Sequence, residues 1–392
     1  MNKININKIK LTPVKMGFNF CVFGEPEKEI VDWTKDWGFR LEKSGQFTNI
    51  LVPLQFDISE CFEKRKPFIY VDGFSPNLNK KLHIGHFSNL VIAKAFQKMN
   101  LGKEFISILG DTLSGDVSKN DAYNVFKRYC AQFDYQVDTI LMASEESYTG
   151  NLLQDGTGKY EGTKIFDVGE DKVVGIKSDG STSYFYQDVA LATKLNAPTL
   201  YLTGSEQENH FKMLKELFPD IEHVGLGLVT VSGKKMASRH GNVIYISDVI
   251  SYLMREFNDD IELCYNVFAG QILKSAPTVN KKINMDLISN HKTSPGLYLS
   301  YTMARMNSAN VEAERIDKFN SNQLEFAYIK SRWNLMPNIL FEALIEHCKN
   351  INRLYEKYTI KDNHENQVMF SNLYEDLILG ARRLGFFIVK RV

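Results

Sequence analysis

Residues 68–111 carry one unbroken pattern that restricts the fold more than anything else in the chain. FIYVDGF (68–74) is a short apolar run without helical period and reads as a buried strand. SPNLNKKLHIGH (75–86) follows, a turn-rich loop ending in His-x-Gly-His. In FSNLVIAKAFQKMN (87–100) Phe87, Leu90, Val91, Ala95 and Phe96 recur at helical spacing, and EFISILGD (104–111) reads as a second strand. Strand, loop, helix, strand opens a doubly wound parallel sheet, which places its ligands at the carboxyl ends of the strands. A helix starting just after Gly85 would offer free N–H groups and a positive dipole end to an anion there.

The remainder continues in the same style. KIFDVGEDKVVGIKSDGSTSYFYQDVALATKL (164–195) reads as short strands punctuated by turns, then a helix starting near Asp188. TLYLTGSEQENHFKMLKELF (199–218) reads as strand, loop and amphipathic helix, and HVGLGLVTV (223–231) as one strand feeding GKKMASRHGN (233–242). GQFTNILVPL (45–54) alternates as a strand. From about residue 291 the pattern is mostly helical. Trp333, Leu335, Ile339, Leu340, Ala343, Leu344 and His347 suit one face of one helix, and NLYEDLILGARRLGFF (372–387) suits another.

Length and composition exclude several classes. With 392 residues, 44% apolar and 24% charged, the chain suits a globular protein of two or three domains. Its 47 basic and 47 acidic side chains cancel, so any RNA-binding surface must be a local patch. Five scattered cysteines (Cys21, Cys61, Cys130, Cys264, Cys348) form no CxxC pair, which suggests neither a zinc site nor a disulfide framework and suits a reducing cytoplasm. The N-terminus has no long apolar segment of a signal peptide, and no run approaches the ~20 apolar residues of a membrane span.

HIGH at 83–86 and KMASR at 235–239, about 150 residues apart, resemble the HIGH and KMSKS motifs of class I aminoacyl-tRNA synthetases. Further segments are similar to the arginyl-tRNA synthetases in particular, in the expected order over about residues 66–392. SPNLNKKLHIGH resembles that family's SPNxAKxxHxGH, SYFYQDVALA (183–192) its Y-x-x-x-D-[IL]-A, and TGSEQENHFKMLKELF (203–218) its gxxQxxHFxQL helix. GLYLSYTMARM (296–306) and GARRLGFF (380–387) resemble the start and the end of its helical anticodon-binding domain. The resemblance is to a compact or truncated form. It implies a class I synthetase Rossmann-like doubly wound parallel sheet with a C-terminal all-helical domain. The domains expected are a reduced tRNA-binding segment at 1–65, the catalytic domain at 66–290 and the helical domain at 291–392.

By resemblance the chain activates arginine with ATP and Mg2+ and transfers it to the 3' end of tRNA(Arg). Little covalent work falls to the protein in such a reaction, so positioning and charge stabilisation carry the rate. His83 and His86 would place donors against the phosphates and the ribose, Gly85 would admit the adenine, and His210 would line the adenosine side. Lys235, Met236, Ser238 and Arg239 would close over the β- and γ-phosphates. The second lysine of KMSKS is missing, and many arginyl enzymes carry instead a lysine upstream of HIGH. Lys80 stands there, although Lys80 and Lys81 also read as two solvated loop lysines.

Arginine presents a planar cation with five donors, so its pocket needs carboxylates and acceptors. By resemblance Asp188 takes the guanidinium, with Tyr184 one helical turn before it; the plain alternative for Asp188 is a helix N-cap. Asn77 would hold the α-amino or carboxylate end, and Gln207 the arginine side. Asp72 stands where the family commonly has Glu. Glu145 and Glu146 both resemble the family's pocket glutamate; Glu146 is the choice carried forward. The partners expected are arginine, ATP and tRNA(Arg), with no resident protein-held metal, no DNA and no membrane, for a cytoplasmic monomer.

Three departures put the polynucleotide half in question. The N-terminal domain must fit into about 65 residues, the family's GDWGTQ is here GDTLSG (110–115), and the C-terminal region is only marginally basic. They leave open a paralogue that passes the activated amino acid to a small amine. A non-catalytic binder and a small nucleotidyltransferase fit less well, the first because the phosphate-type residues are intact, the second because it lacks the arginine signatures.

Overall fold

The computed structural model of the protein describes residues 2–11, 20–53, 56–111, 118–232, 243–360 and 363–392. It divides into two compact units. One comprises residues 1–66, 262–276 and 287–392, and the other 67–261 and 277–286.

The first unit begins with β1 (Lys10–Leu11), β2 (Phe20–Phe23), α1 (Lys28–Asp36), β3 (Arg40–Ser44) and β4 (Phe47–Leu51). These strands form an antiparallel sheet in the order β1-β2-β4-β3. The expected strand within 45–54 is β4.

The second unit holds the expected parallel sheet. β5 (Phe68–Asp72), α2 (Ile84–Lys98), β6 (Gly102–Leu109), α3 (Lys119–Gln132) and β7 (Thr139–Met142) run to one side. A small antiparallel sheet of β8 (Leu153–Asp155), β9 (Lys164–Val168) and β10 (Asp171–Ile176) intervenes. Then α4 (Tyr184–Leu195), β11 (Thr199–Gly204), α5 (Glu208–Leu217) and β12 (Ile221–Leu226) complete the sheet on the other side of β5. The order is β12-β11-β5-β6-β7, every pairing parallel. The winding direction therefore reverses between β5 and β11, which is where such sheets open a crevice for ligands.

α4 starts at Tyr184 rather than near Asp188, because Ser183 caps it, and three further boundaries differ from the sequence reading, each for a visible reason. α2 starts at Ile84, one residue before Gly85, because His83 rather than Gly85 caps it. HVGLGLVTV is not one strand: β12 stops at Leu226, and β13 (Val229–Ser232) leaves the sheet. The break falls at Gly227, where a Cβ would come within 2.3 Å of the Val279 backbone. After α6 (Ile246–Glu256) and α7 (Ile261–Leu273), β14 (Lys281–Asn284) supplies the parallel partner of β13.

The third concerns the helical part of the first unit: α8 (Pro295–Ser308), α9 (Asn322–Asn334), α10 (Pro337–Lys357) and α11 (His364–Arg383). The stretch from Trp333 to His347 is split between α9 and α10. Leu335 turns left-handed with φ 57° and Pro337 opens the next helix; the residue before a proline is driven out of the helical region. Phe326 of α9 packs on Phe20 and Phe62, with ring centroids 4.7 and 5.5 Å away. It belongs to the same buried cluster as Ile4, Trp33 and Ile50, so the N-terminal strands and α9 share a core.

Candidate active site

The first half of the site is the start of α2. His83 is its N-cap, in extended conformation, and its Nδ1 accepts the Gly85 N–H at 3.1 Å. His86 lies one turn in, and its Nδ1 accepts the His83 N–H at 3.1 Å. Reciprocal bonds of this kind make a capping box, here built from two imidazoles. Because each Nδ1 accepts, each proton sits on Nε2, which is left as a donor. The rings lie against each other with centroids 3.9 Å apart. Gly85 suits this fold-back: a Cβ there would stand 3.0 Å from the His83 ring, and the ring would have to shift.

Electrostatics keep both rings neutral. Burial, then the Lys80 ammonium, hold His83 below its ordinary value. Burial, then His83 and Lys80, push His86 down to about 3. Lys80 itself is exposed. The HIGH segment is tied to the chain leaving residues 233–242: Ile84 N–H donates to Ile244 O at 2.9 Å and Ile246 N–H to Leu82 O at 3.0 Å. Lys235, Met236, Ser238 and Arg239 lie outside the described residues.

The second half gathers at the carboxyl ends of β5 and β11. Asp72 ends β5 and is 4% exposed. Ser75 Oγ donates to one of its oxygens and accepts the Ile108 N–H at 2.8 Å. Burial, then the Asp188 charge, raise the Asp72 carboxyl to about 7, against the Ser75 hydrogen bond. Asp188 sits in the second turn of α4, so it is not a cap; Ser183 caps that helix, accepting the Tyr186 N–H at 3.1 Å. The N-cap alternative for Asp188 is thereby removed. Its carboxylate meets His210 Nε2, in the first turn of α5, at 2.6 Å. The His210 ring stands between Phe185 and Phe211, with centroids 5.3 and 5.2 Å away.

The other expected residues are placed less tightly. Asn77 bridges to Gly110, and its Oδ1 receives the Asn79 N–H at 3.4 Å. Tyr184, the first residue of α4, is 56% exposed, and Gln207 is exposed. Glu145 is exposed, whereas the Glu146 side chain is buried and accepts from Lys194 Nζ at 2.7 Å. Lys194 lies six residues beyond Asp188, about 120° round the helix. Glu146 is thus held by a residue of the same helix that carries Asp188. Ser75, Ser183 and Tyr201 were not singled out from the sequence. Serines before a helix or within a turn are a usable signal; a tyrosine inside an apolar strand is not. Among the described residues no cluster of three His, Cys, Asp or Glu side chains could hold a metal ion.

No family model matches the chain. It is 24% identical to the arginine–tRNA ligase of Lactobacillus johnsonii over 64% of this chain and 54% of that protein. With the arginine–tRNA ligase of Enterococcus faecalis it shares 25% identity over 90% of this chain and 67% of that protein.

The chain is a relative of the arginyl-tRNA synthetases.

It spans about half the length of the first of these relatives. The solved arginyl-tRNA synthetase of Thermus thermophilus superposes with a TM-score of 0.68 at 13% identity, covering 98% of this chain and 96% of that one. That of Plasmodium falciparum gives 0.68 at 15%, covering 98% and 94%. At such identities the likeness is one of fold: a class I synthetase Rossmann-like sheet accompanied by helices. Among the described residues no helix is long and apolar enough to cross a membrane.

Proposed function

We propose that the chain is an arginine–tRNA ligase of class I. The observation that carries the reading is the presence at the carboxyl ends of the central strands of two kinds of chemistry. The α2 start offers neutral imidazole N–H donors with a helix N-terminus behind them. Asp188 and Asp72 offer acceptors to a cation. ATP at the first and arginine at the second bring the amino-acid carboxylate to the α-phosphate. Relatives at 24–25% identity named for this activity support the substrate pair.

In this reading the arginine carboxylate oxygen attacks the α-phosphorus of ATP, and pyrophosphate leaves to give arginyl-adenylate. His83 and His86 Nε2–H donate to phosphate or ribose oxygens and stabilise developing negative charge. Lys80 adds a point charge, with Lys235, Met236, Ser238 and Arg239 in the same assigned role as the KMSKS counterpart. Asp188 holds the guanidinium, assisted by Tyr184 and Gln207; Asn77 and Asp72 hold the α-amino end. The terminal ribose hydroxyl of tRNA(Arg) then attacks the carbonyl carbon and AMP leaves. Mg2+ is assigned to the nucleotide's phosphates, the usual place for an ion that seeks few protein ligands. A cytoplasmic location follows from this role.

The test is acylation of transcribed tRNA(Arg) with labelled arginine and ATP, beside arginine-dependent pyrophosphate exchange with and without tRNA. Labelled tRNA is the expected result. Exchange with no charged tRNA would replace the tRNA acceptor by a small amine, and silence in both assays would remove the ligase reading.

A further inference from the structure

Tyr201 lies on β11 directly across from Asp72 on β5, so both side chains leave the same face of the sheet. It is 1% exposed, and its ring packs on Phe211 with centroids 4.8 Å apart. Its hydroxyl has no hydrogen-bond partner among the described residues. A buried hydroxyl of that kind is rare in a folded protein and calls for a reason. Burial, then the Asp188 and Asp72 charges, hold the phenol well above its ordinary value, so it keeps its proton.

Resting on the arginine reading above, we propose that Tyr201 is a specificity-determining residue whose hydroxyl accepts a guanidinium N–H. The donor count favours this. A guanidinium has five N–H groups and no acceptor, and one carboxylate satisfies two of them. Asp72 is partly engaged by Ser75. A neutral oxygen on the face that Tyr201 shares with Asp72 supplies the next acceptor without adding a further buried negative charge.

His210 Nε2 already engages one oxygen of Asp188 at 2.6 Å, so a guanidinium that takes both oxygens displaces it. The His210 ring is packed against Phe211, which also packs on the Tyr201 ring.

The test is Tyr201→Phe in the full chain, with L-arginine and ATP binding measured separately by calorimetry and Tm measured in parallel. Arginine Kd should rise about tenfold to a hundredfold, the range for a hydrogen bond to a charged group. ATP Kd should stay unchanged, and Tm should stay or rise, since no protein partner is lost. In an Asp188→Asn background the same change should have little further effect. Equal arginine affinity in variant and parent overturns the proposal alone, as does a fall in Tm or a matching loss of ATP affinity, either of which marks a structural hydroxyl. Absence of arginine binding by the parent overturns the arginine reading and this proposal with it.

Discussion

The two halves of the candidate site are held by different means. At the start of α2, His83 and His86 are fixed by bonds to backbone groups two and three residues away. Their donors are aimed before any ligand arrives, which is the preorganisation that charge stabilisation needs. At the ends of β5 and β11 the partners are side chains rather than backbone groups: Asp188 with His210, twenty-two positions away, and Asp72 with Ser75 and opposite Tyr201. There the acceptors are already engaged with the protein's own donors, and a cationic ligand must exchange with them. In the proposed reading, one half stabilises a reaction and the other selects the amino acid.

The largest expected effect breaks the first half without disturbing its helix. Asn is a good N-cap and Gln a good partner at the third position, so His83→Asn with His86→Gln keeps both backbone bonds. Neither side chain restores the imidazole Nε2 donor in place. Each donor of this kind is worth on the order of 10²–10³-fold in kcat, so pyrophosphate exchange should fall by at least about 10³-fold with Tm little changed. Retained activity in a folded double variant would show that the capping box is only a cap.

Next in size is Asp188→Asn, which strikes the second half. The guanidinium would enter a partly buried place with no full opposite charge, at a cost on the order of 10²–10³-fold. Steady-state kinetics should show it in kcat/KM for arginine, with KM for ATP little moved. An effect on ATP as large as that on arginine would erase the division between the halves.

The same difference decides what the sequence could tell. The His83–His86 pair was legible as a motif because it lies within four residues and the KMASR segment matches it, whereas its capping box was not, since the helix was expected to start after Gly85. The strand–loop–helix–strand order was equally legible, since periodicity is local. The pairing of His210 with Asp188 was not, because nothing in either segment names the other; His210 was expected on the adenosine side. The pairing of Glu146 with Lys194, forty-eight positions away, was equally hidden. The helix break at Leu335 had a local signal in Pro337, and there an apolar stripe that continued smoothly outweighed it.

Acid and base should separate the halves by the smallest of these effects. His86 is depressed to about 3 from an ordinary 6.5. The unfolded chain therefore takes up that proton first, and the stability His86 contributes is present above 6.5 and lost as pH falls toward 3. Asp72 is raised to about 7 from 3.8, so its contribution is present below 3.8 and lost as pH rises through 7. Between 3.8 and 6.5 the two slopes have opposite signs, each at most about 1.4 kcal/mol per pH unit, and they offset one another in the parent. Urea unfolding at several pH values across that window should unmask them. Relative to the parent, His86→Gln should lose stability more steeply as pH rises, and Asp72→Asn should lose it more steeply as pH falls. Variants that run parallel to the parent would mean that neither group is as desolvated as its burial implies, and the electrostatic contrast between the two halves would go with it.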